Sequence, residues 1–294
     1  MQFFSYLING ISLGSVYALI ALGYTMVYGI AKMLNFAHGD VIMIGSYVVY
    51  FAFGASGLNP VLSIVLSMIV CTILGVVIER LAYRPLREAP SLAVLITAIG
   101  VSYLLQQVAQ LSWSSNPKSF TSVVSGMKPV SLFGGQLTIS AETIVTIVAC
   151  VVIMVVLMWF VNYTPAGHAM LAVSEDRGAA QLMGVNVNGT ISLTFAIGSA
   201  LAAIAGALLC SSYPTLQPTT GAMPGIKAFV AAVFGGIGSI PGAMLGGILL
   251  GIIEQMSKTY ISTLWADAIV FGVLVIVLVV KPTGLLGKEI REKV

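Results

Sequence analysis

Long apolar runs that carry almost no charge restrict this chain to few kinds of fold. Hydrophobic residues make up 58% of the chain and charged residues only 8%, whereas soluble domains carry about 25% charged residues. A helix that spans a membrane needs roughly 20 mostly apolar residues, because lipid offers no partner to exposed backbone groups. The sequence therefore predicts an all-α integral membrane protein with a single membrane-spanning domain over residues 1–294.

The apolar runs predict about eight transmembrane helices, with at least one re-entrant or broken helix. The first run lacks the positive flank of a cleavable signal peptide, so we expect it to stay in the membrane. The runs cover residues 7–30, 41–53, 60–79, 92–111, 143–161, 191–209, 228–234, 243–253 and 264–280. Two of them, 228–234 and 243–253, are short and flank a glycine-rich turn, which predicts a pair that dips into the membrane and returns. A weak similarity between residues 9–13 and 188–193 indicates an internal repeat or a chance match.

Basic side chains predict which ends of the runs face the cytoplasm. Three arginines lie within residues 79–88, and short cytoplasmic loops carry an excess of Lys and Arg. Alternation along the chain then places residues 162–188 in the cytoplasm, and residues 112–140 and the N-terminus outside. The C-terminal stretch is also predicted to be cytoplasmic because of its four basic residues, Lys281, Lys288, Arg291 and Lys293.

The few charges near the predicted spans bear on the kind of transport that is possible. The acidic residues at issue fall near predicted helix ends, and they are Glu79, Glu142, Glu254 and Asp267. Carriers driven by protons or sodium usually place carboxylates at the middle of the membrane, so the sequence argues against that class. Lys227 is predicted at the external mouth, where it either meets a carboxylate or, in the preferred interpretation, lies on the surface.

The residue pattern does not indicate an enzyme or a metal site. The two histidines, His38 and His168, lie on separate predicted segments, and no nucleophile–base pair is evident. The chain also lacks the Gly-x-x-x-x-Gly-Lys-Ser/Thr loop that cradles phosphates in ATPases. We therefore expect no catalytic residue, metal or cofactor here, and any energy source must be another chain or an ion gradient.

Two interruptions are predicted at membrane depth. Asn35, His38 and Asp40 are polar residues close to a helix break, and polar groups in lipid are costly unless they are paired. This segment either contributes to a substrate pathway or lies at the interface and meets water. Gly235, Gly236 and Gly238 break a second helix, and irregular backbone at depth is tolerated beside a pore or a helix interface.

Residues 163–188 form a long soluble-looking stretch on the predicted cytoplasmic side. Small and apolar residues recur there at near-helical spacing, which predicts a short helix between two spans. Ser174 or Asp176 is predicted to cap its start. Gly184 is predicted to end it, because glycine accepts the left-handed conformation. The small side chains favour either close approach of another protein or a plain surface loop.

The same stretch carries a family resemblance. Its spaced small and acidic residues resemble the cytoplasmic coupling segment of ABC-class importer permeases, and the matching residues are Gly167, Ala172, Asp176, Ala180 and Gly184. A second block resembles a signature of the branched-chain amino acid permeases, through Asn35, Phe36, His38, Gly39 and Asp40. Residues 231–243 and 281–287 resemble the same subfamily, so the likeness covers nearly the whole chain. One departure is Leu171, where the family often carries Arg.

The resemblance implies an assembly and a substrate class. It implies a fold similar to a type II ABC importer permease in a bacterial inner membrane. A second permease subunit, two ATP-binding subunits that hold ATP and Mg, and an external substrate-binding protein would complete the importer. Branched-chain or related apolar amino acids would pass a pathway near residues 35–40 and near Gly235, Gly236 and Gly238. The alternative is an ATP-independent channel for a small neutral solute such as urea or an amide, for which residues 163–188 have no evident use.

Overall fold

The computed structural model describes residues 2–132 and 137–287, so the predicted orientation of Lys288, Arg291 and Lys293 lies outside the described residues. Within these ranges, six helices are long and apolar enough to cross a membrane. They are Gln2–Ala31, Pro60–Leu86, Ser91–Trp113, Ala141–Tyr163, Val187–Ser212 and Ile240–Tyr260. Two shorter apolar helices are Ala222–Gly235 and Ala266–Val280. The predicted mostly helical, multi-pass membrane protein is confirmed, whereas the count of eight spans stays a prediction.

The helices follow one another along the chain with short connections, except for residues 114–140 between the fourth and fifth helices. They are α1 (Gln2–Ala31), α2 (His38–Val49), α3 (Pro60–Ile78), α4 (Ser91–Trp113), α5 (Ala141–Tyr163), α6 (Pro165–Glu175), α7 (Arg177–Leu182), α8 (Val187–Ser212), α9 (Ala222–Gly235), α10 (Ile240–Tyr260) and α11 (Ala266–Val280). A π-helical turn, Tyr50–Ala55, continues α2. A π-helical turn, Glu79–Tyr83, and a 3₁₀ turn, Arg84–Leu86, continue α3.

Two small antiparallel ribbons lie in the connections. β1 (Lys118–Ser119) pairs with β4 (Thr215–Leu216), with Lys118 opposite Leu216. β2 (Val130–Leu132) pairs with β3 (Leu137–Ile139), with Val130 opposite Ile139. The first ribbon joins the connection after α4 to the connection after α8, so two distant loops form one surface.

Local sequence sets where several helices begin. Asn59 accepts a hydrogen bond from the Val61 N–H at 2.9 Å, and Pro60 occupies the first turn, as predicted. Ser239 accepts from the Gly242 N–H at 3.2 Å, with Pro241 inside the first turn of α10. These side chains satisfy donors that a helix start otherwise leaves without partners.

α1 forms the centre of the bundle, while α3, α4 and α5 present apolar side chains outward. Most of α1 is buried, and it packs most extensively against α10 and also contacts α8, α9 and α5. A Cβ placed on Gly251 would lie 2.2 Å from the Cα of Gly14, so both glycines are needed for this approach. Leu111, Trp159 and Leu92 are exposed on the outer helices, as expected of surfaces that face lipid.

The two ends of the bundle are distinguished by their contacts. Lys32, Arg87 and Arg177 line one cleft, which defines the arginine end. Tyr6 and Tyr260 meet at the opposite end, with ring centroids 6.1 Å apart. α1 therefore runs from the opposite end to the arginine end, and α10 returns.

Two predicted boundaries were wrong. The predicted run 243–253 is part of the 21-residue helix α10, and the predicted run 228–234 is part of the 14-residue helix α9. Glu254 and Lys258 lower the hydropathy beyond residue 253, but they remain helical because they pair with each other at 2.6 Å. The hydropathy criterion therefore placed the end of the apolar run at residue 253, although the helix continues to Tyr260.

The weak sequence repeat coincides with a structural similarity. Residues 9–13 lie near the start of α1 and residues 188–193 near the start of α8. Each of these long helices is followed by an irregular stretch and a shorter helix, α2 after α1 and α9 after α8. α1 ends and α8 begins at the arginine end, because Arg177 donates to the Ala31 carbonyl and Arg87 to the Asn188 side chain. The two units are thus antiparallel, an arrangement that transporters use.

Candidate functional site

The break between α1 and α2 is buried in the bundle. α1 ends as Lys32 adopts a left-handed conformation with φ +52°, and residues 32–37 are irregular. α2 then begins at His38, which is 1% exposed. Its ring meets Tyr24 of α1, with centroids 4.7 Å apart. Because Tyr24 lies two turns before the end of α1, the chain doubles back beside α1 before α2 starts.

The residues at this break contact different neighbours. The Tyr83 hydroxyl donates to Asn35 Oδ1 at 2.9 Å, and Gln106 Nε2 donates to Asp40 Oδ1 at 2.8 Å. Phe36 packs on Phe229 of α9, with ring centroids 5.5 Å apart. The break therefore ties α2 to α3, α4 and α9, and Asn35 and Asp40 are paired, whereas the buried His38 Nε2 has no hydrogen-bond partner among the described residues.

Gly39 and Gly221 bring the starts of α2 and α9 into direct contact. A Cβ on Gly39 would lie 2.6 Å from the Gly221 carbonyl oxygen, which leaves no room for a side chain. The two shorter helices thus begin at one point inside the bundle. This arrangement of broken helices is the one in which transporters place substrate, although the role of residues 35–40 in a pathway stays a prediction.

The glycine turn after α9 is held by the C-terminal segment. Gly236 has φ +108°, which L-residues rarely adopt. The N–H groups of Leu285 and Leu286 donate to the carbonyls of Phe234 and Gly235, both at 2.9 Å. Residues 281–287 therefore satisfy the end of α9, and two of the stretches that carry the resemblance meet here.

The two predicted pathway groups approach each other at one narrow cleft. Asn35 from the first group lines it, and so does Ile237 from the turn that contains Gly236 and Gly238. Phe229 and Ala232 of α9 line the same cleft. The structure thus brings the two groups near a single helix without placing them in one open cavity.

The predicted coupling segment forms two helices rather than one. Asp176 interrupts it with extended backbone, and Asp176 Oδ1 accepts from the Ala179 N–H at 2.9 Å to cap α7. Of the two predicted caps, Asp176 takes this role, while Ser174 Oγ donates to the Leu171 carbonyl at 2.7 Å. Gly184 ends α7 with φ +85°, as predicted.

The residues of the coupling pattern divide into those that shape the segment and those on its surface. A Cβ on Gly167 would lie 2.3 Å from the carbonyl oxygens of Phe160 and Val161, so glycine lets α6 fold back on α5. Ala180 is buried, whereas Ala172 is exposed. The pattern therefore describes a compact turn of helices at the arginine end.

Two large apolar side chains stand out from this segment and were not among the predicted site residues. Leu182 is 90% exposed and Met183 is 84% exposed. The rest of the segment is anchored by Met170 and Val173, which are buried. Exposed apolar side chains on a firmly packed support are typical of a protein-binding surface. Adjacent apolar residues just before Gly184 were the available sequence signal.

Two arginine contacts connect the coupling segment to the bundle. Arg177 of α7 donates to the carbonyl of Ala31, the last residue of α1. Burial lowers the pKa of the Arg177 guanidinium, and the nearby charge of Arg87 lowers it further. Arg87 pairs with Glu79 and also donates to Asn188 at the start of α8. Both long helices are thus held by arginines beside the segment.

The predicted surface position of Lys227 was wrong. Lys227 is 6% exposed, and its Nζ lies 2.8 Å from Glu254 Oε1 and 2.7 Å from Asp267 Oδ1. Glu254 is fully buried inside α10 rather than near a helix end as predicted. Among residues 2–132 and 137–287, no group of three His, Cys, Asp or Glu residues could hold a metal ion.

A bundle of membrane-spanning helices with broken helices at its centre, and with a packed segment that offers apolar side chains at one end, defines a transport permease. The chain matches the family model described as "Branched-chain amino acid transport system / permease component" over residues 6–279, and it belongs to this family.

Relatives extend along the whole chain. It is 44% identical to the high-affinity branched-chain amino acid transport system permease protein LivH of Salmonella typhimurium, over 100% of this chain and 98% of that protein. It is 45% identical to the corresponding BraD protein of Pseudomonas aeruginosa, over 98% and 97% of the two chains. A ribose import permease protein, RbsC of Haemophilus influenzae, is 26% identical over 82% of this chain and 73% of its own length. The family resemblance predicted from the motifs is confirmed.

Proposed function

We propose that this chain is a permease subunit of an ATP-driven importer and forms the translocation pathway for branched-chain or related apolar amino acids. The observation that carries the proposal is the 44–45% identity, along nearly the whole chain, to permease proteins of branched-chain amino acid transport systems. Energy comes from ATP and Mg in two partner ATP-binding subunits. An external binding protein delivers the amino acid, and a second permease subunit completes the pathway.

The coupling segment supports a route for transmitting motion. An ATP-binding subunit that packs on Leu182 and Met183 displaces α7, and Arg177 of α7 holds the end of α1. The break at residues 32–37 follows directly, so a shift of α1 alters the contacts of Asn35 and the start of α2. Movement at the arginine end thereby reaches the meeting point of the broken helices.

The finer architecture belongs to the same proposal. The six long helices, α11 and the broken helices α2 and α9 together make nine membrane elements, one more than the predicted count of about eight, in a type II importer arrangement within a single domain. The positive-inside rule assigns the arginine end to the cytoplasm. The N-terminus then lies outside, and the protein resides in the bacterial inner membrane.

Reconstitution with purified partners tests the proposal. Proteoliposomes that contain the permease pair, both ATP-binding subunits and the external binding protein are expected to take up labelled leucine only with ATP. Uptake without ATP or ATP-binding subunits would instead establish the channel alternative. Persistent failure to take up leucine, isoleucine or valine would reject the substrate class.

Leu182→Asp tests the coupling surface in the same system. We expect ATP-driven uptake to fall at least about tenfold, because a charge opposes burial of an apolar contact. Leu264→Asp is the matched control, since Leu264 is 91% exposed in the connection between α10 and α11 at the opposite end. Equal losses in both variants would show that Leu182 has no special part in coupling.

A further inference from the structure

A cavity of about 200 Å³ lies toward the opposite end of the bundle, away from the coupling segment. α1, the end of α8, α9 and α10 enclose it. Its wall combines apolar and charged side chains, among them Leu13, Leu209, Met223, Lys227, Glu254 and Lys258. At roughly 30 Å³ per water molecule, this volume equals about seven waters, which is the size class of a single small solute.

A larger cavity adjoins this one and leads outward. It measures about 630 Å³ and shares Leu13, Tyr213 and Lys258 with the smaller cavity. Ser140 and Ser212, which lie where α5 begins and α8 ends, line it as well. The smaller cavity is therefore the inner part of a recess on the side where an external binding protein would release its cargo.

The charged side chains beside the smaller cavity form one connected cluster. Glu254 Oε1 accepts from Lys227 Nζ at 2.8 Å and from Lys258 Nζ at 2.6 Å, and Tyr17 donates to Glu254 Oε2 at 2.9 Å. Two ammonium groups and one carboxylate thus face the cavity. Asp267 balances Lys227 but does not line the cavity. With Asp267 counted, two lysines meet two carboxylates, and Glu142 lines the adjoining larger cavity, so the cation that stays available to a ligand is the one with unused donors, Lys258.

Lys258 retains donors for a further partner. An ammonium group has three N–H donors, and among the described residues its Nζ contacts only Glu254. Its side chain is 31% exposed at the boundary of the two cavities. An anion that enters the recess thus reaches an ammonium group that need not break an existing contact.

The pairing of Glu254 does not by itself explain why two lysines lie beside it. One lysine would suffice to pair with one buried glutamate, and replacing a buried ion pair by apolar residues is often neutral or stabilising. Ionisable residues inside a membrane bundle commonly mark a solute pathway. The second lysine, at the rim of a cavity with apolar walls, indicates a ligand that has both an anionic and an apolar part.

We infer that this cavity is an outer binding subsite, which holds the carboxylate of an apolar amino acid at Lys258 and Lys227 and its side chain against Leu13, Leu209 and Met223. The inference rests on the proposed function. It assigns first contact with the substrate to the α1–α9–α10 recess rather than to the predicted pathway residues at the α1–α2 break.

Equilibrium binding to the purified importer complex, in the absence of the external binding protein, tests the inference. Labelled leucine is the probe. 4-Methylpentanoate, which keeps the carboxylate, is expected to displace it, whereas 3-methylbutan-1-amine, which lacks the carboxylate, is not. Displacement by the amine as effective as that by the acid would overturn the assignment, and so would an absence of leucine binding to the parent complex.

Two variants that change different features of the cavity distinguish loss of the site from a failure to fold. Lys258→Gln removes one cation and is expected to weaken leucine binding at least about tenfold. Met223→Trp fills the cavity from its rim without touching the charges and is expected to weaken binding similarly. Lys128→Gln, an exposed lysine between α4 and α5, is the matched control and should bind as the parent does.

The outcomes separate this inference from the proposed function. ATP-driven leucine uptake by the parent, together with unchanged leucine binding in Lys258→Gln and Met223→Trp, would overturn the subsite and leave the importer standing. Loss of leucine binding in both variants, with Lys128→Gln unaffected, supports the subsite. A parent complex that binds leucine but does not transport it with ATP would count against the proposed function alone.

Discussion

Two glutamates, one toward each end of the bundle, are completely buried, but they have very different surroundings. Glu79 at the arginine end pairs with Arg87 and accepts from Ser192 Oγ at 2.6 Å, which joins α3 to α8. Glu254 toward the opposite end pairs with two lysines and a tyrosine from α1, α9 and α10. Both carboxylates satisfy the requirement that buried charge be paired, but Glu254 itself lines a cavity, whereas at the arginine end it is Arg87, the partner of Glu79, that lines the cleft.

The difference shows that burial and pairing alone do not determine the role of an ionisable residue. The Glu79 group borders the coupling segment through Arg87 and Asn188, so it connects two helices that movement of the segment would shift. The Glu254 group borders a cavity, and among the described residues the Lys258 ammonium within it contacts only Glu254. The Glu79 group holds helices together. The Glu254 group does so too, and it also borders the cavity that we propose as a carboxylate-binding subsite.

Among the variants that test this comparison, Glu254→Leu is expected to lower the stability of the protein most. Lys227 is then left with Asp267 alone at a nearly inaccessible position, and breaking a buried pair costs about 3–5 kcal/mol. Thermal unfolding of the purified protein measures this loss of stability. Glu175→Leu, an exposed glutamate at the end of α6, is the control and should change stability by less than about 0.5 kcal/mol. Equal unfolding temperatures for the two variants would contradict the central role of Glu254.

Glu79→Leu is expected to have the second-largest effect. The Arg87 side chain is 12% exposed but keeps its contact with Asn188, which continues to accept from the guanidinium, so the loss should be about 1–3 kcal/mol. The same variant should lower ATP-driven uptake more than its stability loss explains, because it loosens α3 from α8 next to the coupling segment. A destabilisation greater than that of Glu254→Leu would reverse the comparison.

Asp267→Asn is expected to have the smallest effect. The Asp267 side chain is 48% exposed, and Lys227 retains Glu254 after the change. Exposed ion pairs contribute about 0–1 kcal/mol and weaken with salt. Unfolding of parent and variant should therefore converge at high ionic strength. A loss of several kcal/mol that persists in salt would place Asp267 within the buried group.

Apolar run length was enough to predict most of the membrane helices, because each span depends on its own composition. The length of α10 was not predictable in this way, since Glu254 and Lys258 lower the hydropathy, and the buried Glu254 is tolerated through Tyr17 of α1 and Lys227 of α9 as well as through Lys258. Tyr17 and Glu254 lie 237 positions apart, and no local pattern connects them. The surface interpretation of Lys227 was wrong for the same reason.

The candidate site likewise combines features that local sequence predicts with features that depend on contacts between distant segments. Gly184 was predictable as a helix end and Asp176 as one of two caps, because turns and caps follow from local chemistry. The meeting of Gly39 with Gly221 and of residues 281–287 with α9 required the fold. The predicted pathway residues stand out in the sequence as polar or glycine-rich interruptions, but their separate neighbours could not be deduced from it.

The packing of α1 on α10 has a consequence for how the chain is made. Roughly 210 residues separate the end of α1 from the start of α10. At a synthesis rate of about 5–20 residues per second, the interval is about 10–40 s. During that time the surface around Gly14 has no α10 to cover it, although it becomes the centre of the bundle. A chain released from the ribosome before Ile240 lacks this cover permanently, so early termination leaves the future core open to lipid, insertion machinery and membrane proteases.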